Sequence, residues 1–377
     1  KDRYYGACLS SFGLCDYLDR WEELRLPARG WAGPDSWEDL ALPELAGEVG
    51  VADPSKSGSI TKAFEMLIQQ QLAEAVTDAG GTADAETLGR GWENALYLVR
   101  RIGANARYFT FSASRVPVDV GDGAAAAGMC IDFYGRAQAE WTRRHSGRER
   151  MRYRTPVGGS SVSADPIGLL RGAPHPELAR LFIDFVLSRE GQQLWNYRAG
   201  EPGGPADYSL RRLPIRRDLY RPEDRDRMSD PDAEPFELAS RFTYHPEWTG
   251  PLFGLIRILI RVMVIDCHRE LQEAWRAMTA LETPEVRAEA EETLRRLPFP
   301  YSEAFAVAGR LSDNREQIRL TRDWAEFFRA RYADVPRMGA VRSRPAQADG
   351  GPRPPRIAYA RECQPLPATG DGADKRD

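Results

Sequence analysis

The sequence predicts an α/β fold with a mainly parallel sheet, followed by a helical region. Stretches with strand character alternate with stretches with helix character through about the first 200 residues, which is the pattern of β-α-β units. From about residue 220, helical patterns dominate. The chain has 377 residues, of which 42% are hydrophobic and 29% charged, as is typical of a soluble globular protein of two or three domains.

The strands are predicted from short runs of small and apolar residues bounded by turn residues. The run at 4–15 reads as one buried strand, and the run at 47–53 leads directly into a serine-rich loop. Further strands are predicted at 107–112, 127–132 and 152–162.

The helices are predicted from apolar residues at helical spacing. From Ile60 such residues recur every three or four positions until Gly80 and Gly81 end the helix. The helix predicted at 176–195 has the apolar set Leu178, Leu181, Phe182, Phe185, Val186 and Leu194. Other helices are predicted at 85–102, 250–280, 284–296 and 315–333. The apolar run at 251–266 carries two arginines and favours a core-packed helix over a membrane span.

Composition and motifs exclude several classes of function. The 52 basic and 56 acidic residues give a net charge of −4, which argues against nucleic-acid binding. The five cysteines form no C-x-x-C pair and the four histidines are scattered. The sequence contains no H-E-x-x-H motif, no G-x-S-x-G nucleophile elbow, no Walker loop and no Rossmann fingerprint. We therefore predict neither a cofactor nor an enzyme. The basic runs at 143–154 and 211–217 are interpreted as solvated surface.

The most informative segment is the loop and helix start that follow the strand at 47–53. Its hydroxyl and glycine residues are Ser55, Ser57, Gly58, Ser59 and Thr61. With Ser59 as the N-cap, the third helical residue is Lys62 and not an acid, so no carboxylate neutralises the positive end of the helix dipole. Such a turn suits an anion, and the same residues also occur at ordinary helix starts.

Four segments together resemble the extracellular solute-binding proteins of bacterial ABC importers, in the branch related to ferric-iron-binding periplasmic proteins. They lie at 37–59, 121–134, 163–177 and 181–195. The resemblance implies a two-lobed periplasmic binding protein (type II) fold with mixed sheets and a ligand held between the lobes. It also implies that the first lobe is incomplete at the start of this chain, with its opening strands and a signal peptide expected upstream of Lys1.

The resemblance, together with composition, divides the chain into five parts. They are a hinge-crossing strand at 1–16, a second α/β lobe with the anion loop at 17–153, a return crossing with part of the first lobe at 154–220, a helical extension packing on the first lobe at 221–337, and a disordered tail at 338–377. The tail is predicted from its richness in proline, glycine and charge.

The family's functional positions can be matched to few residues. Ser57, Gly58 and Ser59 match the loop that holds an anion, and Ser114 lies near a further polar contact. In the same comparison, Ser10 and Ser11 of the crossing strand are further candidates for ligand contact.

The end of the strand at 127–132 matches a tyrosine pair that ligates ferric iron. Here the pair is Phe133 and Tyr134, and a single phenolate is a poor match for a cation that prefers several oxygen ligands. Asp132 could accept an amine, guide a metal or cap the next helix. Tyr134 would be a metal ligand only if the cargo is iron, and it could equally be an ordinary core or rim tyrosine.

These features predict a monomeric periplasmic protein that captures a small anionic solute and delivers it to an ABC permease in the inner membrane. Binding, with hinge closure around the ligand, is the expected activity. One alternative is a ferric-iron receptor that uses a synergistic anion. An alternative of another class is a two-lobe enzyme or ligand-sensing domain.

Overall fold

The computed structural model describes residues 4–342 of the chain. The strands are β1 (Tyr5–Ser10), β2 (Phe12–Tyr17), β3 (Val49–Ala52), β4 (Ala106–Thr110), β5 (Ala127–Ile131), β6 (Met151–Arg154), β7 (Ser163–Ile167) and β8 (Leu213–Pro214). The first helices are α1 (Leu18–Glu23), α2 (Gly58–Asp78), α3 (Ala85–Asn105), α4 (Arg115–Gly121), α5 (Asp132–Ser146), α6 (Pro176–Leu187) and α7 (Arg189–Asn196). The remaining helices are α8 (Pro222–Arg225), α9 (Pro235–Ser240), α10 (Pro246–Thr249), α11 (Phe253–Ile260), α12 (His268–Thr279), α13 (Pro284–Arg295), α14 (Tyr301–Arg310) and α15 (Asn314–Arg342).

The strands form two separate sheets. In the five-stranded sheet the order is β4-β3-β5-β2-β6; β3 runs parallel to β4 and β5, and β2 runs antiparallel to β5 and β6. The three-stranded sheet has the order β7-β1-β8 and is antiparallel. The prediction of an α/β fold with mixed sheets is therefore confirmed. The expectation of a mainly parallel sheet is wrong, because among the strand pairs of residues 4–342 only β3–β4 and β3–β5 are parallel. We call the larger sheet with α1–α5 the large lobe, and the smaller sheet with α6 and α7 the small lobe.

The chain passes directly from one sheet to the other at its first two strands. The single strand predicted at 4–15 is in fact two strands, because Ser11 separates β1 in the small lobe from β2 in the large lobe. A second passage lies between β6 and β7. The strand predicted at 152–162 is likewise too long, since β6 ends at Arg154 where the chain leaves the large sheet.

The large lobe has a continuous core. Every residue of β3 and β5 is buried, and because successive residues of a strand point to opposite faces, both faces of the sheet are covered. Helices α2 and α3 pack against each other and against this sheet. Trp37 and Trp92 are fully buried there.

From α10 onward the helical extension packs on the large lobe, so the prediction that it packs on the first, smaller lobe is wrong for that part. Its first part differs, because Asp224 and Asp230 bond Arg189 and Asn196 of α7 in the small lobe. Helices α11 to α14 contact α2 or α3, and their buried residues belong to the same hydrophobic core as the five-stranded sheet. Direct bonds join the two: the Trp275 indole N–H donates to the Asn105 side chain at 3.1 Å. The apolar faces of these helices could be seen in the sequence, but their packing partner could not, because an apolar face is complementary to many others.

One helical segment meets a length-and-composition test for a membrane span. It covers Pro246–Ile265, and 56% of the tested window is buried inside the protein. A core helix passes the same test, so the finding is weak evidence for a span. Leu255, Ile256 and Leu259 within it are buried in the core shared with the large lobe, as the sequence predicted.

The helix predicted at 176–195 is two helices, α6 and α7. The break is at Ser188, whose hydroxyl caps α7 by accepting a hydrogen bond from the Gly191 amide at 3.1 Å. At the other end of the chain, α15 extends to Arg342, beyond the predicted start of the tail at 338. The remainder of the predicted disordered tail lies outside the described residues.

Candidate functional site

The predicted site residues follow neighbouring strands at one edge of the five-stranded sheet. Parallel strands β4, β3 and β5 end at the same edge, and the antiparallel strand β2 begins there, since Phe12 pairs with Ile131 at the end of β5. The edge therefore presents, in order, the segments after β4, β3 and β5 and the crossing at Ser11. The ends of parallel strands are the usual position of ligand sites in α/β sheets.

The loop after β3 (residues 53–59) is held in place by hydrogen bonds of Asp53. The Asp53 carbonyl accepts hydrogen bonds from the amides of Lys56 and Ser57, both at 3.0 Å, and the Asp53 carboxylate accepts one from the Ser55 amide at 2.7 Å. The Asp53 amide donates to the Thr110 carbonyl at 2.8 Å, which ties the loop to β4. The loop is thus a fixed turn at the edge of the sheet.

The N-cap of α2 is Ser57, and the prediction of Ser59 is wrong by two residues. The Ser57 hydroxyl accepts a hydrogen bond from the Ile60 amide at 3.4 Å, and the helix begins at Gly58. The first turn contains no acidic residue, as predicted. Sequence reasoning overlooked Asp53, however, whose carboxylate bonds within the loop and brings a negative charge close to the helix start.

Several donors of this loop face no protein acceptor. Within residues 4–342, no protein group bonds the amides of Gly58 and Ser59 or the hydroxyls of Ser55 and Ser59. Gly58 is exposed, and Ser57 and Ser59 are half-buried. The helix start is therefore open to an incoming acceptor, which the free amides of a helix amino end favour.

Thr61 differs from the serines because its hydroxyl is fully buried and already bonded. It donates to the carbonyl of Pro54, at 2.7 Å, and lies 3.0 Å from the carbonyl of Ser57. The structure thus gives Thr61 a role in closing the loop. Ser114, after β4, is half-buried, and its hydroxyl lies 2.8 Å from that of Ser112.

The crossing strand is hydrogen-bonded to the start of α5 through Ser10, Ser11 and Asp132. The Ser10 hydroxyl donates to the Asp132 carboxylate at 3.1 Å, and the Asp132 amide donates to the Ser11 carbonyl at 3.0 Å. The carboxylate also forms a buried ion pair with Arg136, one helical turn further on. Burial raises the pKa of Asp132, and the guanidinium of Arg136 partly opposes that shift. The hydroxyl of Ser11 lies 3.3 Å from that of Thr155 in the return crossing.

Phe133 and Tyr134 lie side by side at the start of α5, with ring centroids 4.2 Å apart. The guanidinium of Arg212, from the small lobe, stacks on Phe133 at 3.8 Å from the ring centroid. Tyr134 is exposed. The pair therefore lies where the two lobes meet.

A cavity of about 730 Å³ lies beside the crossing at Ser11, between the large lobe and the segment that follows α8. On the large-lobe side it is lined by Ser11, Arg136, Tyr153 and Thr155, and on the other side by Arg211 and residues 229–235, 237 and 238. Neither the loop after β3 nor Tyr134 lines it. The prediction of a solvated basic run fails at Arg211, which pairs with Asp230 at 2.6 Å and is mostly buried. The sequence held one signal for this site: Asp132 and Arg136 are four residues apart, a spacing that lets oppositely charged side chains pair on a helix.

The described residues hold no ready metal centre. No group of three or more His, Cys, Asp or Glu side chains in the described part of the chain is placed to hold a metal ion. The nearest carboxylate in sequence to Tyr134, that of Asp132, is already bonded to Ser10 and Arg136.

The chain was compared with curated proteins. PgtC of Salmonella typhimurium, a phosphoglycerate transport regulatory protein, is 27% identical over 188 residues, which are 50% of this chain and 39% of that protein. An uncharacterized protein of Haemophilus influenzae is 26% identical over 161 residues, which are 43% of this chain and 39% of that protein. This chain thus spans well under half the length of these relatives.

Among solved structures, AfuA of Actinobacillus pleuropneumoniae, a periplasmic binding protein with fructose-6-phosphate bound, is 22% identical with a TM-score of 0.38, covering 50% of each chain. Iron-bound HitA of Pseudomonas aeruginosa is 17% identical with a TM-score of 0.43, covering 68% of this chain and 69% of that one. TM-scores this low support no detailed superposition.

The sequence profile of a protein family matches the greater part of the chain. Residues 19–218 match the profile described as bacterial extracellular solute-binding protein. The match covers every strand of the five-stranded sheet except β2, together with β7, α6, α7 and β8. The chain therefore belongs to the bacterial extracellular solute-binding proteins.

Proposed function

We propose that this protein is the periplasmic solute-binding component of an ABC importer, which captures a small anionic solute between its lobes and delivers it to the permease. The observation that carries the proposal is the family match over residues 19–218. The two sheets joined at Ser11 supply the hinge that such capture requires. Ligand contacts made by both lobes exist only in the closed form, so binding would shift the equilibrium toward closure.

The loop after β3 supports an anion as the cargo. Its free amides at Gly58 and Ser59, its free hydroxyls and the exposed Lys56 all favour negative charge. The relative PgtC is named for phosphoglycerate transport, which makes a phosphorylated or carboxylated small molecule the first class to test.

Ferric iron is the weaker alternative. Tyr134 is a single phenolate, Phe133 has no oxygen, and the Asp132 carboxylate is engaged with Ser10 and Arg136. A hard trivalent cation prefers several oxygen ligands. Loading the purified protein with ferric citrate tests this alternative: a visible tyrosinate band would favour iron, and a colourless protein would favour the anion.

The anion assignment is tested by calorimetry on the full-length protein with 3-phosphoglycerate and with glycerol as the neutral analogue. We expect binding of the phosphate compound only, and a loss of about tenfold in affinity or more in Ser57→Ala/Ser59→Ala, which removes two hydroxyls at the helix start. Thr77→Ala, at the exposed far end of the same helix, is the matched control. Equal affinity of the double variant and the control would refute the loop assignment. Conversion of the ligand would instead indicate an enzyme.

A further inference from the structure

We propose, on the basis that the loop after β3 binds an anion, that Arg257 of the helical extension is the residue that positions this loop and makes it electrostatically able to do so. The extension was expected on the other lobe, and its packing on α2 places α11 behind the loop. Arg257 is therefore not a surface residue of a separate helical domain but part of the construction of the candidate site.

Arg257 holds two consecutive carbonyl groups of the loop. Its Nε donates to the Pro54 carbonyl at 3.2 Å, and its Nη2 donates to the Ser55 carbonyl at 2.8 Å. The buried Thr61 hydroxyl also donates to the Pro54 carbonyl. Both carbonyl oxygens thus point toward the extension, and the open side of the loop is left with the amides of Gly58 and Ser59.

The guanidinium of Arg257 is in direct contact with no carboxylate of residues 4–342. Within residues 4–342, its hydrogen bonds go only to the two carbonyls, and it forms no ion pair with Asp or Glu. Arg261, four residues further along the chain, does contact a carboxylate, because it forms an ion pair with Asp266 at 3.3 Å. Because its contacts are neutral carbonyl oxygens, the positive charge of Arg257 is not neutralised by a contacting carboxylate.

That charge balances a carboxylate inside the loop. The peptide group that joins Pro54 to Ser55 lies between the two charged groups: its N–H donates to the Asp53 carboxylate at 2.7 Å, and its carbonyl accepts from Arg257 Nε at 3.2 Å. Asp53 is buried, so its negative charge is poorly screened and would repel an anion at Gly58 and Ser59. With Arg257 in place, the charges of Arg257 and Asp53 offset each other, so the helix dipole makes the electrostatic potential at the start of α2 positive.

The test measures 3-phosphoglycerate and inorganic phosphate binding by calorimetry in five variants of the full-length protein. Arg257→Met should weaken binding by about tenfold or more, because it leaves Asp53 uncompensated. Arg257→Lys should keep most of the affinity, because it keeps the charge. Arg261→Met is the matched control and should bind as the wild type does.

The decisive variant is Asp53→Asn, which removes the opposing charge and keeps a side-chain oxygen for the Ser55 amide. In the Arg257→Met background it should restore most of the lost affinity, and in the wild-type background it should strengthen binding several-fold. A purely structural role for Arg257 gives no rescue, so absence of rescue overturns the electrostatic part of the proposal. If Arg257→Met does not fold, an unchanged affinity in Asp53→Asn alone overturns it.

These outcomes separate the two proposals. If the wild-type protein binds neither phosphate compound, the anion function itself fails. If the wild type binds and Arg257→Met binds equally well, the function stands and the role of Arg257 is refuted.

Discussion

The two lobes bury their apolar residues to very different degrees. In the large lobe all residues of β3 and β5 are buried, and α2, α3 and the extension enclose one core with them. In the small lobe β7 is at least partly exposed on both faces. Its helix α6 leaves an apolar stripe in solvent, formed by Leu178, Leu181, Phe182 and Phe185 at 47–65% exposure.

The spacing of that stripe is the spacing of a helix face that normally packs on a core. Positions i, i+3, i+4 and i+7 form one continuous stripe, and an apolar set with this spacing predicts a buried helix face. Only Ile183 and Val186 of α6 are buried. Apolar periodicity therefore shows that a face is suited to packing, and the rest of the fold decides whether it is covered.

The largest loss of stability is expected for a substitution in the core of the large lobe. Trp92 on α3 is fully buried and lies 5.6 Å from the Tyr301 ring of the extension, between centroids. Trp92→Ala should lower the free energy of unfolding by about 3–5 kcal/mol, because it removes a large apolar group and leaves a cavity. Urea unfolding followed by circular dichroism measures it, with the exposed Trp141→Ala as control. Similar losses in free energy of unfolding in both variants would contradict a continuous core that includes Trp92.

A second test concerns the contact between the extension and the large lobe. His268 on α12 lies against the Phe109 ring, and its Nε2 is 3.1 Å from the Gly103 carbonyl. Burial lowers the pKa of His268 below its ordinary value of 6.5. The folded state therefore binds fewer protons than the unfolded state, and stability should be lost as the pH falls below 6.5 toward the folded-state pKa.

Thermal melts between pH 7.5 and pH 5.5 measure this effect by comparison with His268→Gln, which keeps an N–H donor for Gly103 and cannot titrate. We expect the Tm of the wild type to fall more than that of the variant. Equal falls would mean that other groups carry the pH dependence.

The smallest effect is expected on α6. Phe182→Ser should change the free energy of unfolding by less than about 0.5 kcal/mol, because the ring is already mostly in solvent. Val186→Ser, on the buried side of the same helix, should cost about 1–3 kcal/mol. Phe182→Ser should also reduce binding of a hydrophobic dye. A loss as large as that of Val186→Ser would contradict the exposure of the stripe.

Part of the geometry of the candidate site could be predicted from the sequence. The positions of the loop after β3 and of the residues after β5 at strand ends follow from small residues, glycine and the end of an apolar run, which are local signals. Their role in ligand binding stays a prediction. Asp53 and Arg136 were missed, although both are close in sequence to predicted residues, because nothing local shows where a carboxylate or guanidinium points. Arg257 lies about 200 residues from the loop that it contacts and gives no local signal at all.

By itself, the sequence determined the alternation of strands and helices, the start of α2 to within two residues and the absence of acid from its first turn. These depend on spacing, propensity and capping, which act over a few residues. Only the tertiary structure decided that the extension covers α2 and α3, that Ser10 bonds Asp132, and that α6 keeps an apolar face in water. Those outcomes depend on which surfaces meet, and hydrophobic burial is non-directional, so one apolar face does not specify its partner.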